Sequence, residues 1–186
     1  MQKKEQSFQT KQLLADALKE ALKYKSLDKI RIRELTDRCG IYRQTFYYHF
    51  TDLEALLLWT AQRDIDYICS GQDGAETLQK RVEHLLQHTM EYRGFYLAVV
   101  EGNSYPVQRK VLYSQIITLL SQSLGKNHTD LLFPFQNYTA IVSSLLEQWI
   151  RGSIQQSLDD MTRCLTELFG ETYISSDAPI QTSTCY

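Results

Sequence analysis

The chain has 186 residues, 43% of them apolar, with only eight glycines and three prolines, which excludes wholesale disorder and fits one domain or two small ones. Its net charge of −2 conceals an asymmetry: residues 1–50 carry eleven Lys/Arg against six Asp/Glu, and residues 51–186 carry nine against sixteen. That balance points to a local polyanion-binding module on a body that does not bind polyanions, with chance charge on a solvated helix as the plain alternative.

Nearly every segment reads as helix, since no stretch alternates with period two. Over 8–25, Leu13, Leu14, Ala17, Leu18, Ala21 and Leu22 recur at helical spacing, with lysines opposite. Ser26-Leu27-Asp28 breaks this helix. Arg33 to Cys39 forms a short second helix ended by Gly40, the residue best suited to a left-handed terminus. Residues 43–50, RQTFYYHF, make a third. Thr51-Asp52 caps a fourth that runs to about Ser70 on Leu53, Leu56, Leu57, Ile65 and Ile68. Gly71-Gln72-Asp73-Gly74 is a loop. A fifth helix is predicted over 76–92, a short sixth over Phe95 to Glu101, and a seventh from Pro106 to about Leu124. Residues 125–134 read as irregular. An eighth helix is predicted over 137–151, stopping at Gly152, and a ninth from a Ser157 cap to Phe169, before a flexible tail over 171–186. The fold expected is all-α, with about nine helices.

No apolar run approaches the roughly 20 residues that span a bilayer. The start, MQKKEQSFQTK, lacks the apolar region of a secretion signal, so a cytoplasmic location is expected. Cys39, Cys69, Cys164 and Cys185 are widely spaced and form no CxxC pair, which reads as reduced thiols.

The pieces IRELTDRC, GIY and RQTFYYHF describe a helix-turn-helix, a unit whose second helix enters the DNA major groove. At about 100° per residue, Phe46 and Phe50 share one face, expected to pack on Leu18, Leu22 and Leu35. Gln44, Thr45, Tyr48 and His49 fall opposite, with Arg43 and Tyr47 at the edge. A plain solvated helix prefers Lys and Glu. In a groove, Gln bonds adenine edges, Thr touches a thymine methyl, and Tyr or His reaches phosphate oxygens. Arg31, Arg33 and Arg38, with Lys3, Lys4 and Lys11, add sequence-independent attraction. A buried aromatic helix would leave Gln44, Thr45 and His49 in need of core partners. A small helical enzyme built on His49 lacks a paired nucleophile or carboxylate at sensible spacing.

The stretch GIYRQTFYYHFTDLEALL resembles the recognition-helix signature of TetR-family bacterial transcriptional regulators: a turn glycine, an aliphatic residue, a cap, and a short helix ending Thr-aromatic-Tyr-x-His-Phe. The resemblance covers residues 8 to about 60. FYYHF together with LLEQWIRGSIQQS is similar to a Firmicutes-type branch that includes regulators of dihydroxyacetone-kinase operons, some of which act as co-activators beside a second protein. The resemblance implies a DNA-binding domain over 1–52 and a regulatory and dimerisation domain over 53–170. It implies base or adjacent backbone contacts from Arg43, Gln44, Thr45 and Tyr48, phosphate contacts from Tyr47 and His49, and further backbone contacts from Arg31 and Arg33. Two positions depart from the pattern. Tyr42 stands where Ser or Thr commonly caps the helix; it is expected to lie on the DNA or to shift the helix start. Leu53 replaces a lysine and removes one phosphate contact. Both departures suit weaker or partner-assisted DNA binding.

In the body, aromatic residues at helical spacing read first as core. TetR-like proteins usually hold a small-molecule effector there, and Tyr96, Tyr113 and Tyr138 are the residues expected to offer it polar tips. His84 and His88 stand at i, i+4, a metal-compatible spacing, but without the HExxH order they read as a solvated face; no metal or other cofactor is expected. Broad apolar faces run through Tyr138, Ile141, Val142, Leu145 and Trp149, and through Leu158, Met161, Leu165, Leu168 and Phe169. By resemblance they pair with their copies in a homodimer; intramolecular packing is the alternative. A dimer doubles readout on a palindromic operator. Repression is the more frequent role in that family, and the residues themselves set no sign.

Overall fold

The structure is a computed structural model that describes residues 2–70, 77–102 and 132–176, with side chains over 5–68, 77–102 and 140–168. All its regular structure is helical. In chain order the helices are α1 (Gln2–Leu22), α2 (Ile32–Arg38), α3 (Arg43–His49), α4 (Leu53–Ser70), α5 (Leu78–Glu91), α6 (Arg93–Glu101), α7 (Leu132–Arg151) and α8 (Leu158–Ser176), with one 3-10 turn at Leu27–Lys29. The predicted Gly71–Gly74 loop, the predicted seventh helix and the stretch 177–186 lie outside the described residues.

Short-range chemistry sets the helix ends. Gly40 takes φ +64°, and the backbone N–H groups of Gly40 and Ile41 donate to the carbonyls of Asp37 and Thr36, which closes α2 in a Schellman turn. Gly152, at φ +79°, closes α7 in the same way on Trp149 and Gln148. Asp52 accepts from the N–H of Ala55 at 2.8 Å to open α4, and Ser157 accepts from Asp160 at 3.1 Å to open α8. Three helices depart from expectation by more than two residues. Helix α1 spans Gln2–Leu22 against an expected 8–25. Helix α7 begins at Leu132 and takes in Pro134, because a proline near a helix start has no intrahelical bond to lose. Helix α8 continues past Gly170 to Ser176.

Two hydrophobic clusters hold the described residues. The first gathers Leu14, Leu18 and Leu22 of α1, Leu35 of α2, Phe46 and Phe50 beside α3, Leu56, Leu57 and Ile65 of α4, and Phe95, Tyr96 and Val99 of α6. It continues without a break across residue 52. The buried stripe of α1 is Leu14, Ala15, Leu18, Ala21 and Leu22; Leu13, expected in it, lies on the flank and is exposed.

The second cluster joins Val82 and Leu86 of α5, Val142, Leu146 and Trp149 of α7, and Met161 and Leu165 of α8. This corrects the reading of the α7 and α8 faces. Trp149, Met161 and Leu165, expected at a two-fold interface, are buried in their own chain, in a cluster that α5, α7 and α8 build together. The indole Nε1–H of Trp149 donates inward to the Gln156 carbonyl at 2.9 Å. Leu158 and Leu168 are half-buried against the same cluster. Ile141 remains 52% exposed, and Leu145 is half-buried one turn away on its side of α7.

Candidate nucleic-acid interface

Helix α3 is fastened on one side only. Phe46 is fully buried and Phe50 nearly so, in the cluster that holds Leu18, Leu22 and Leu35. Tyr42 occupies the N-cap in extended conformation and makes no side-chain cap bond, so its ring stands 84% exposed beside the helix start. Arg43, Gln44, Tyr47 and Tyr48 are exposed in succession around the outer face; Thr45 and His49 are half-buried at its margins. Arg43 Nη2 donates to the Tyr47 hydroxyl at 2.9 Å, and its guanidinium lies 5.4 Å from the centre of that ring. These two side chains one turn apart are therefore held together before any ligand arrives.

Helix α2 supplies the neighbouring charge. Arg31 donates to the Asp28 carbonyl at 2.7 Å, which holds its side chain at the start of α2. Arg33 lies 3.7 Å from Asp37 in a solvent-exposed pair and stays available to other anions. Lys25 donates to both oxygens of Glu34 at 2.7 and 2.6 Å, tying the end of α1 to α2, and this ammonium holds the Glu34 carboxyl below the usual carboxylate range. Lys11 lies over the Phe50 and Trp59 rings at 5.6 and 5.7 Å. Burial first, and the Lys11 charge second, push the His49 imidazole below its ordinary pKa. Its ring packs edge-on against Tyr48, 5.0 Å between centres. Leu53 packs against the first cluster, and its apolar side chain offers nothing to a phosphate.

The arrangement is thus a seven-residue helix with an apolar root and an exposed face of amide, phenol and guanidinium groups, next to Arg31 and Arg33. No family model matches the chain. It is 25% identical over 160 residues, 82% of its length and 86% of the relative's, to the HTH-type dhaKLM operon transcriptional activator DhaS of Lactococcus lactis subsp. lactis (strain IL1403). Among solved structures it is similar to a dihydroxyacetone kinase operon activator DhaS, with TM-score 0.69, 20% identity and coverage of 88% of this chain and 95% of that one. A TetR transcriptional regulator from Rhodococcus sp. RHA1 superposes with TM-score 0.67 at 16% identity, again over 88% and 95%. The chain has the fold of the TetR-family regulators. A third such structure, a tetR-family transcriptional regulator from Streptomyces coelicolor, has TM-score 0.60 at 17% identity over 89% and 84%.

Of the three residues expected at an effector pocket in this TetR-like chain, Tyr96 is the one whose side chain is described. Tyr96 is 2% exposed and closed in among Asp64, His88 and Phe95. Its hydroxyl is held well above the usual phenol range by burial first and the Asp64 carboxylate second. Tyr113, and the side chain of Tyr138, lie outside the described residues. His88 Nε2 lies 3.2 Å from Asp64, and among the described residues no three His, Cys, Asp or Glu gather as metal ligands. Cys39 and Cys164 are free thiols. No helix among the described residues is long and apolar enough to cross a membrane.

The sequence reading passed over Asp64 and Lys19. A signal was present: Asp64 falls on the apolar stripe of α4, in register with Leu57, Ala61 and Ile68. A carboxylate in that position requires a partner.

Proposed function

We propose that this TetR-like chain is a bacterial transcription regulator that binds operator DNA as a homodimer, with α3 in the major groove and Arg31, Arg33, Tyr47 and His49 on the backbone. The observation that carries this reading is the contrast between the two sides of α3: Phe46 and Phe50 locked in the core, and Tyr42, Arg43, Gln44, Tyr47 and Tyr48 left outside. A solvated helix gains nothing from such a face, whereas a groove offers each group a partner. Under this reading the exposed ring of Tyr42 meets the duplex backbone. Ile141 and Leu145 of α7, with the half-buried Leu158 and Leu168 of α8, form the dimer face under this reading. A small-molecule effector among the body helices would act by favouring one separation of the two α3 helices. The relatives named as operon activators favour activation over the repression more usual in the family.

A second reading is a co-activator that reaches DNA mainly through a protein partner. Two features favour it: Leu53 stands where a phosphate-binding lysine is expected, and Tyr42 leaves the α3 N-terminus without a side-chain cap.

Fluorescence-anisotropy titration with DNA from upstream of the chain's own gene, against scrambled DNA at several salt concentrations, separates the two. Tight, selective and salt-sensitive binding supports the autonomous regulator. Equal, weak binding to both duplexes by a folded dimer counts against it and favours the partner-dependent form.

A further inference from the structure

One carboxylate joins α1 of the reading unit to three helices of the body. Asp64 stands on α4. Lys19 of α1 donates to its Oδ1 at 2.5 Å. On the opposite oxygen, the Tyr96 hydroxyl of α6 donates to Oδ2 at 3.4 Å, and His88 of α5 places Nε2 3.2 Å away, off hydrogen-bond alignment. The side chains of Lys19 and Asp64 are each only 11% exposed. The Lys19 ammonium also sits 4.4 Å from the centre of the Tyr92 ring.

Stability alone does not account for this pair. Apolar residues of the same volume generally hold such a site as well as an ion pair or better. The pair differs from apolar packing in directionality. Helix α1 can slide or roll on α4 and α6 while its leucines stay covered, but such movement separates Lys19 from Asp64 and strands two buried charges. A second contact limits the same motion. A Cβ at Gly94 would stand 2.1 Å from the Leu22 carbonyl oxygen, so the start of α6 abuts the end of α1 directly. Lys19 and Leu22 are one turn apart on α1. Together they fix both its translation and its roll.

We infer that the Lys19–Asp64 pair, seated against His88 and Tyr96, positions the reading unit on the body and thereby sets the spacing between the two α3 helices of a dimer. These are positioning residues; they touch no DNA. The inference rests on the dimeric DNA-binding reading above, and it assigns to the pair the choice of half-site spacing, not the choice of bases.

The test uses a duplex selected by the wild-type protein from a randomised library, and derivatives with the spacer between half-sites changed by one or two base pairs. Wild type is expected to prefer its selected spacing by about tenfold or more, comparable to the effect of a mismatched base pair. The double variant Lys19→Met/Asp64→Leu is expected to fold with a modestly lowered melting temperature, because the buried Tyr96 hydroxyl loses its partner, and to lose most of that preference. Tyr96→Phe, which keeps the ring and removes one bond to Asp64, is expected to show a smaller loss of the same kind. A folded double variant with the wild-type spacing preference overturns the inference. If the double variant does not fold, an unchanged preference in Tyr96→Phe overturns it. If wild type itself selects no two-half-site duplex, the dimeric reading fails and the positioning role falls with it; that outcome is visible before any variant is made.

Discussion

Helix α3 turns Phe46 inward and leaves a polar, aromatic surface outside, whereas α7 buries Val142, Leu146 and Trp149 and still leaves Ile141 in solvent. Both helices are amphipathic, but they meet different surroundings. With only seven residues, α3 has room for one buried side, so everything else on it faces outward. Helix α7 has 20 residues, shares one cluster with α5 and α8, places Ile150 in the other beside α6, and still leaves Ile141 exposed. In a short helix, periodicity alone separates root from surface. In a long helix of a bundle, periodicity identifies apolar sides without saying whether the cover comes from the same chain or from another.

The largest expected effects test the two roots. Phe46→Ala should cost about 3–5 kcal/mol, with a cavity left where α1, α2 and α3 meet. Since that cluster runs on into α4 and α6, urea unfolding followed by circular dichroism should show one earlier transition for the whole chain. A separate early transition confined to the reading unit would contradict the shared core. Trp149→Ala should also cost about 3–5 kcal/mol and should act on the monomer. Ile141→Glu should leave the melting temperature nearly unchanged and yield monomers in light scattering. If Ile141→Glu remains a dimer, α7 does not supply the interface in the way proposed.

Smaller effects test the outer face of α3. Gln44→Ala should relax base preference at one operator position by about 1–3 kcal/mol with little loss of stability, measured on a panel of single-base variants. Unchanged affinity and specificity would mean that the reading face is misassigned. Gly40→Ala should cost about 1–2 kcal/mol, from the left-handed backbone alone, since a Cβ there meets nothing within 4 Å.

The smallest effect concerns protons. Burial and Lys11 lower the pKa of His49 in the free chain, and a phosphate would favour its charged form. DNA binding should therefore take up a proton, so affinity should rise as pH falls from 8 towards 6. His49→Gln should flatten that dependence; a slope unchanged in this variant would exclude His49 from the contact. For folding the sign is opposite. The folded state binds fewer protons than the unfolded one, so stability due to His49 is present above its ordinary value of about 6.5 and is lost as pH falls through and below it.

Much of the fold was legible because its signals are local. Gly40, Gly152, Ser157 and Asp52 act within a few residues of themselves, and the helices end where these residues stand. The outer face of α3 was legible in part: Gln44 and Tyr48 lie outside as the helical period requires, whereas Thr45 and His49, read onto that face, are half-buried, and Arg43 and Tyr47, read at its edge, are exposed. Pro134 misled because proline reads as a breaker except near a helix start, and where a helix starts depends on what covers it. Trp149, Met161 and Leu165 misled because their apolar spacing is the same whether α5 or a second copy lies against them.

By itself, the sequence determined an all-helical chain, the ends of most helices, and a short third helix with Phe46 and Phe50 on one side and Gln44 and Tyr48 on the other. Those properties follow from turn geometry and helical period, which act over a few residues. Only the tertiary structure decided that Trp149 is buried in a cluster with α5 and α8, that Gly94 meets the Leu22 carbonyl, and that Asp64 is shared between Lys19 of α1 and Tyr96 of α6. Each joins residues distant in the chain. Burial and charge pairing depend on what lies opposite in space, and helical period places a residue on a face without naming the partner it meets there.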